Sequence, residues 1–226
     1  TPGKEVENMT PGNAERALYS DILNLSVAKQ EYSLFKKAIE KHAPAFEVMD
    51  LLKEVLSNQR VKESLLDHIV QNEGEWINKH ILMNLSDEEL ARQLMEGVVL
   101  IKDNLTKYFS KERYSLRPLH NFFFTRDASM AVRDKVLIGR MASQVRRRES
   151  IIMQAIFDYH PLFRTQTTNP EQSPQFNNNI TIEGGDVLVA RDDVLLIGTG
   201  SRTSSQGIDF ILEQLESKEQ VRHIIV

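Results

Sequence analysis

Apolar residues recur at helical spacing through the first half of the chain. After Ser26, a candidate N-cap, Leu34, Phe35 and Ile39 fall on one helical face before Pro44. The same spacing predicts helices over residues 46–56 and 60–70 and a helix that begins at the capping box Ser86-Asp87-Glu88-Glu89, whereas residues 99–109 fit a helix or a loop.

After residue 111 the pattern changes to short apolar runs separated by polar turns. One run covers residues 130–139 and is followed by a helix-like segment at 145–157; the other covers 187–198 and is followed by 207–215. Both have the order strand, turn, strand, helix, at a spacing of roughly 56–59 residues. Such repeats are typical of stacked or propeller-like modules, because one unit cannot bury its own apolar face.

Two further segments lack this pattern. Residues 164–179 contain three consecutive asparagines and two prolines, which predicts a surface loop. Residues 222–226 read as an apolar strand with no partner, which would expose backbone groups. Pro2-Gly3 resembles the loop that follows a strand, and no strand precedes it in this sequence. We therefore expect the chain to be a piece of a longer protein or to be completed by a second chain.

Composition and charge exclude several classes of function. The 226 residues are 41% hydrophobic and 27% charged, as in an ordinary globular chain. A net charge of −4 offers no broad basic surface for nucleic acid or an anionic membrane. No apolar run approaches the roughly 18 residues that span a bilayer, and the sequence does not open with a charged and then apolar leader.

Cysteine is absent, which excludes disulfides, thiolate metal sites and a cysteine nucleophile within these residues. The histidines show no metal-ligand spacing and none is paired with a nucleophile in a known motif, so we predict no metal site. They are His42, His68, His80, His120, His160 and His223.

Two acidic motifs lie at similar places in the repeat, Phe124-Thr125-Arg126-Asp127 and Glu183-Gly184-Gly185-Asp186. Carboxylates on rigid strand ends can bind the planar fork of a guanidinium bidentately. Because acidic residues from separate modules would converge on a shared axis, we predict a cation pocket around Asp127 and Glu183. Either motif alone favours a capped turn or a glycine turn, whereas both motifs in a repeated context favour the cation pocket.

An arginine follows each acidic residue by 19 positions, Arg146 after Asp127 and Arg202 after Glu183. An arginine at a helix start can bind a substrate carboxylate in a bidentate pair. Arg146 also belongs to a three-arginine run that suits a solvated helix end. The hydroxyl-rich loop around Arg202 also suits phosphate, although it lacks the spacing of a P-loop. Phe124 is the aromatic expected beside a bound guanidinium.

These motifs, together with Asn121 and Ser201-Arg202-Thr203-Ser204, resemble the arginine deiminase branch of the guanidino-group-modifying enzymes. The opening segment from Thr10 is also similar to that of the family, although Ser20 stands where an aspartate is usual. The resemblance implies an α/β fold, a partial five-bladed propeller of ββαβ modules with an inserted helical bundle. Residues 1–25 would be part of the first module, 26–111 the helical region with the insertion, and 112–226 the second and third modules.

The resemblance also implies roles for single residues. Asp127 would grip the substrate guanidinium, and Glu183 would position a catalytic histidine and help to bind the guanidinium. The residues implied to contact the rest of the substrate are Asn121, Arg146 and Arg202 at the amino-acid end, Phe124 in the pocket wall, and Asp186.

In the family, a cysteine thiolate attacks the guanidinium carbon, ammonia leaves, and water activated by a histidine releases citrulline, without metal or cofactor. The histidine motif and the cysteine of the family lie downstream of the residues present here, so we predict that this chain alone is inactive. The implied partner is a small molecule, arginine or a related guanidino compound, and the implied location is the cytoplasm. Homo-oligomerisation is left open.

Two alternatives remain at this point. The protein could be a non-catalytic guanidino-binding or structural protein. It could instead be an amidinotransferase or an agmatine or methylarginine hydrolase of the same superfamily. These substrates differ at the carboxylate end, so replacing Arg146 or Arg202 by alanine should matter little for agmatine and weaken the use of arginine.

Overall fold

The computed structural model describes residues 1–73, 76–163, 165–215 and 223–226, and the chain divides into two compact units, Thr1–Phe123 and Phe124–Val226. Every helix among these residues is too short or too polar to serve as a membrane span. In chain order, the first unit contains α1 (Lys4–Glu7), α2 (Pro11–Ala14), α3 (Leu25–Ile39), α4 (Val48–Leu56), α5 (Gln59–Glu73), α6 (Lys79–Met83), α7 (Asp87–Glu96), β1 (Val98–Val99), α8 (Leu105–Phe109) and β2 (Tyr114–Leu116).

The core of the first unit lies between three amphipathic helices. α4 contacts both α5 and α7, and Leu52, Leu66 and Leu90, one from each helix, are fully buried. The helices predicted over residues 46–56 and 60–70 are thereby confirmed, with small shifts of their ends. The predicted start at Ser86 is also confirmed, because its hydroxyl accepts a hydrogen bond from the backbone N–H of Glu89 at 3.2 Å.

The predicted N-cap of α3 is wrong. Asn24, not Ser26, caps this helix, since its side-chain oxygen accepts from the N–H groups of Ser26 at 3.0 Å and Val27 at 3.2 Å. Asn24 has extended backbone dihedrals, as a cap requires, whereas Ser26 already lies in the first turn. The helix ends at Ile39, before it reaches Pro44.

Residues 99–109 are neither one helix nor one loop. Val99 belongs to β1, which pairs antiparallel with β2, and only Leu105–Phe109 is helical. α7 ends at Gly97, whose φ of +88° suits glycine, and a Cβ there would lie 2.8 Å from the Leu116 carbonyl oxygen. The short helix α6 was not predicted, because five residues are too few to show a helical period.

The second unit consists of two ββαβ modules, of which the repeated pattern predicted the two hairpin strands and the helix, but not the third strand. In each, two strands form an antiparallel hairpin and a third strand, after the helix, joins the second in parallel. The elements are α9 (Thr125–Ala128), β3 (Ser129–Val132), β4 (Lys135–Ile138), α10 (Arg147–Tyr159), β5 (Gln166–Thr168), β6 (Val187–Arg191), β7 (Val194–Ile197), α11 (Ser205–Leu215) and β8 (His223–Ile225).

Both segments that lacked a module pattern differ from the prediction. β5 lies inside the predicted loop, whose first residue is outside the described part, and a 3-10 turn at Pro170–Gln172 follows it. This strand is held by backbone pairing with β4 rather than by apolar side chains, so its polar sequence did not predict a strand. The terminal strand is paired with β7 and is therefore not without a partner; position 222 is outside the described residues.

A shared hydrophobic core joins the two modules. Met130 and Leu137 of the first sheet belong to the same buried cluster as Leu195 of the second sheet and Ile208 of α11. Ile182, just before the second module, is also in this cluster and pairs by a β-bridge with Arg140. Burial of this core fixes the loops that open the two modules against each other.

Candidate functional site

Asp127 lies in α9, the short helix that opens the first module. Its N–H donates to the carbonyl oxygen of Phe124 at 3.1 Å, and the next residue, Ala128, accepts from the N–H of Gly139 at 2.8 Å. The helix is thus fixed to the hairpin β3–β4 on its C-terminal side. The Asp127 side chain is 17% exposed, so the carboxylate is accessible but largely surrounded by protein.

Glu183 lies just before the second module and is held at two points. Its N–H donates to the hydroxyl oxygen of Thr203 at 3.1 Å, and its Oε1 accepts from the N–H of Ala142 at 3.2 Å. The side chain is 4% exposed. Within the described part of the chain, its Oε2 accepts no hydrogen bond. Burial raises the pKa of Glu183, although the Ala142 N–H and Arg146 oppose that rise.

Arg146 lies between these two carboxylates. Its Nη1 donates to Asp127 Oδ2 at 2.8 Å and is 3.6 Å from Glu183 Oε2. The sequence predicted a pocket in which Asp127 and Glu183 face one cation, and the structure brings both carboxylates to the same guanidinium. That cation belongs to the protein itself.

Glu149, a residue that the sequence analysis missed, completes the cluster. Its Oε2 accepts from Arg146 Nη2 at 2.8 Å and from Nε at 3.1 Å, and its Oε1 accepts from Nε at 3.3 Å, so both carboxylate oxygens take part in the pair. Burial raises the pKa of Glu149 to about 7, against the lowering effect of Arg146. The Arg146–Glu149 spacing of three residues at a helix start was a signal that could have found it.

The close approach of the two loops depends on glycine and on Arg126. A Cβ on Gly184 would lie 2.0 Å from the Arg126 carbonyl oxygen, and one on Gly185 would lie 2.7 Å from Asp127 Oδ1. The Arg126 side chain donates from Nε to the Gly184 carbonyl oxygen at 3.1 Å, and from Nη2 to that of Val187. The glycine pair therefore does more than turn the chain: it allows the two acidic loops to touch.

Arg202 is the exposed arginine of the site. Its side chain is 57% exposed, and its Nε lies 4.0 Å from Glu183 Oε2, too far for a hydrogen bond. The loop that carries it is closed by the Gly200 N–H, which donates to the Thr203 carbonyl oxygen at 3.0 Å, and is tied to a neighbouring segment by Ser204 Oγ, which donates to the Asn179 carbonyl oxygen at 2.7 Å. The Arg202 head group therefore projects from a fixed loop.

The other predicted residues are distributed differently. Phe124 is the N-cap of α9 and is 45% exposed. Asp186 contributes through its backbone, accepting from Gly198 N–H at 2.9 Å; among the described residues its carboxylate pairs with neither Arg146 nor Arg202. Asn121 lies in the first unit, where it is buried and donates to the Ala17 carbonyl oxygen at 2.9 Å.

No group of three or more histidine, cysteine, aspartate or glutamate side chains in the described ranges is placed to hold a metal ion. The acids of the cluster are instead joined by a buried arginine, which is a pairing for organic cations and carboxylates rather than for a metal.

Comparison with known proteins gives the family. The family model for arginine deiminase matches residues 15–226. The chain belongs to the arginine deiminase family. The acid cluster and the exposed Arg202 therefore lie within the matched region of an arginine deiminase-type sequence.

Curated relatives in this family cover almost the whole chain. An arginine deiminase from Bacillus cereus is 31% identical over 96% of this chain and 56% of its own length. An arginine deiminase from Staphylococcus aureus is 32% identical over 97% of this chain and 56% of its own. The chain thus spans about half the length of the curated arginine deiminases that it matches.

Solved structures show weaker likeness. A dimethylarginine dimethylaminohydrolase from Pseudomonas aeruginosa, complexed with citrulline, aligns with 49% of this chain and 41% of its own at a TM-score of 0.38 and 21% identity. An amidinotransferase from Microseira wollei aligns with 45% of this chain and 34% of its own at a TM-score of 0.37 and 16% identity.

Proposed function

We propose that this chain carries part of the guanidino-substrate site of an arginine deiminase, with free L-arginine as the substrate. The observation that carries the proposal is the buried Oε2 of Glu183, which accepts no hydrogen bond among the described residues and lies in the same cluster as Asp127. A buried carboxylate oxygen without a donor is costly unless a ligand supplies one.

The charge of the cluster supports a cationic ligand. Asp127, Glu149 and Glu183 surround the buried Arg146, and Arg202, whose Nε lies 4.0 Å from Glu183 Oε2, is largely in solvent. At 4 Å, one added positive charge would gain about 4 kcal/mol per carboxylate at an effective dielectric constant near 20. A guanidinium suits this site because its donors form a planar fork.

The proposed roles combine the geometry of the cluster with the family resemblance. Asp127 and Glu183 bind the substrate guanidinium, and Arg202 takes the carboxylate of the substrate. Phe124 lines the pocket, and Asp186 supports it through the turn.

Arg146 receives a different role from the expected one. Its guanidinium is buried and engaged with Asp127 and Glu149, so it is not available to a substrate carboxylate in this arrangement. We therefore assign Arg146 to orienting the acidic residues rather than to holding the amino-acid end of the substrate.

The proposed chemistry needs a cysteine nucleophile, which this sequence does not contain. In the family reaction, a thiolate forms a C–S bond to the guanidinium carbon, the C–N bond breaks and protonated nitrogen leaves as ammonia; water then restores the thiolate and releases citrulline. The chain has no cysteine, so we propose that the remaining length of the protein supplies the thiolate, the histidine and the other blades of a five-bladed propeller. The two ββαβ modules support that architecture.

Titration of the 226-residue chain with L-arginine, followed by NMR chemical shifts, tests the proposal. We expect shifts at Asp127 and Glu183, affinity about 10- to 100-fold weaker in Asp127→Asn, and unchanged affinity in Glu171→Gln, a carboxylate that pairs with Arg140 and Arg147 elsewhere. A citrulline assay should show no turnover. The absence of arginine binding at millimolar concentration, or equal affinity of Asp127→Asn, would overturn the proposal.

The alternative substrates are separated by Arg202→Ala. If arginine is the substrate, this variant should lose affinity for arginine and keep that for agmatine, which has no carboxylate. Equal loss for both ligands would mean that Arg202 does not contact the carboxylate. The alternative function for the 226 residues by themselves is guanidino binding without turnover, and the absence of cysteine favours it.

A further inference from the structure

We propose that Glu149 is a positioning residue that sets, through Arg146, how strongly the Asp127–Glu183 pair binds a guanidinium ligand. This inference rests on the proposed function, because it concerns the same ligand site. It goes further by assigning a role to a buried acid that is not expected to touch the ligand.

The geometry shows how Glu149 acts. It accepts from Nε and Nη2 of Arg146, at 3.1 Å and 2.8 Å from its Oε2, while Nη1 donates to Asp127 and lies 3.6 Å from Glu183 Oε2. An arginine held in this way covers Asp127 Oδ2 and leaves Glu183 Oε2 without a hydrogen bond. If Glu149 lost its charge, Nε and Nη2 of Arg146 would be held less strongly, and the guanidinium would turn toward Asp127 and Glu183 and compete with a ligand.

The fold places Glu149 for this purpose. It lies in the first turn of α10, where a helix stabilises a negative charge, and its side chain is 1% exposed. α10 packs against α9, β3, β4 and β5, so the position of Glu149 is fixed by the core of the first module.

The charged groups with the largest effects on the pKa of Glu149 come from three other segments. They are Arg146 in the preceding 3-10 turn, Asp127 in α9, and Glu183 at the entrance to the second module. Of the strands packed against α10, β3 and β5 carry no titratable side chain, and Lys135 of β4 donates to the Gln214 carbonyl oxygen at 3.3 Å. On α10 itself, Arg147 pairs with Glu171.

This role predicts a pH-dependent affinity. Glu149 changes charge near neutral pH, because burial raises its pKa to about 7. If the ligand binds well only when Glu149 is ionised, arginine should bind about tenfold more weakly at about pH 6 than at about pH 8. Ionisation of Glu149 strengthens ligand binding in two ways. It adds a negative charge to the site, and it keeps Nε and Nη2 of Arg146 bonded to Glu149 rather than to Asp127 and Glu183.

The experiment is the same NMR titration with L-arginine at about pH 6 and about pH 8. Glu149→Gln should bind about tenfold more weakly than the wild type at the higher pH and should show no pH dependence. Glu149→Asp keeps a carboxyl and should keep the pH dependence, and Glu171→Gln should match the wild type. If Glu149 had a purely structural role, Glu149→Gln would lower the stability of the chain without changing the pH dependence of arginine affinity. Wild-type affinity and slope in Glu149→Gln, or a lost slope in folded Glu149→Asp, would overturn the inference.

A second readout needs no ligand. In the free chain, the carboxyl carbon of Glu183 can be followed by ¹³C NMR as the pH changes. Release of Arg146 in Glu149→Gln should lower the pKa of Glu183, and an unchanged titration would contradict the role of Glu149. If the wild type does not bind arginine, the proposed function is wrong. The pH titration of Glu183 then still tests whether Glu149 is coupled to Asp127 and Glu183.

Discussion

Gly184→Ala tests whether the contact between the two acidic loops is as close as the structure shows. A Cβ at this position would lie 2.0 Å from the Arg126 carbonyl oxygen, 3.0 Å from its carbonyl carbon and 3.2 Å from Met130 Cβ. The nearest two atoms belong to the backbone, so no side-chain rotation relieves the overlap. Either α9 or the turn at Gly184–Asp186 has to move.

The size of the effect follows from this geometry. Overpacking of a well-packed site costs about 1–3 kcal/mol, and a backbone clash belongs at the upper end of that range. For a chain of this length, each kcal/mol lowers the melting temperature by about 2–4 °C. We therefore expect Gly184→Ala to melt roughly 6–12 °C below the wild type.

The assay is thermal unfolding followed by circular dichroism, with Gly200→Ala as the matched control. Gly200 lies in the loop that carries Arg202, and a Cβ there would meet no atom within 4 Å. The control should melt within about 2 °C of the wild type, as open surface substitutions do. If Gly184→Ala melted together with Gly200→Ala, the loops would not touch as described, and the argument for a joint Asp127–Glu183 site would fail.

Other predictions concern the buried charges and a helix cap. Arg146→Met should destabilise the chain by about 3–5 kcal/mol in urea unfolding at neutral pH, because buried acids lose their cation; a loss below 1 kcal/mol would contradict the ion network. The folded-state pKa of Glu149 is raised from 4.5 to about 7. The protonated Glu149 side chain therefore contributes its full stabilisation below the unfolded-state pKa, and this contribution is lost as the pH rises through the folded-state pKa. Wild-type stability relative to Glu149→Gln should fall over that window, and a parallel pH profile would refute this. Ser86→Ala should cost about 1 kcal/mol through loss of the α7 cap, compared with Ser57→Ala outside any N-cap.

The sequence by itself determined the parts of this protein that depend on local pattern. Helical spacing placed α4 and α5, the capping residue placed the start of α7, and the repeated order of apolar runs predicted both hairpins and their helices. Side-chain period and capping act within a few residues, so they can be read without knowing the fold. The convergence of Asp127 and Glu183 could be predicted because each lies in a short motif at the start of a module.

Only the tertiary structure decided which groups meet. Arg146 pairs with Glu149 three residues away, but also with Asp127 and, at longer range, with Glu183. Those partners are fixed by a core shared between two modules, so the burial that raises the pKa of Glu149 has no signature in local pattern. β5 was likewise invisible, since its stability comes from backbone bonds to β4. Contacts between distant segments depend on how buried surfaces pack together, and that packing exists only once the chain has folded.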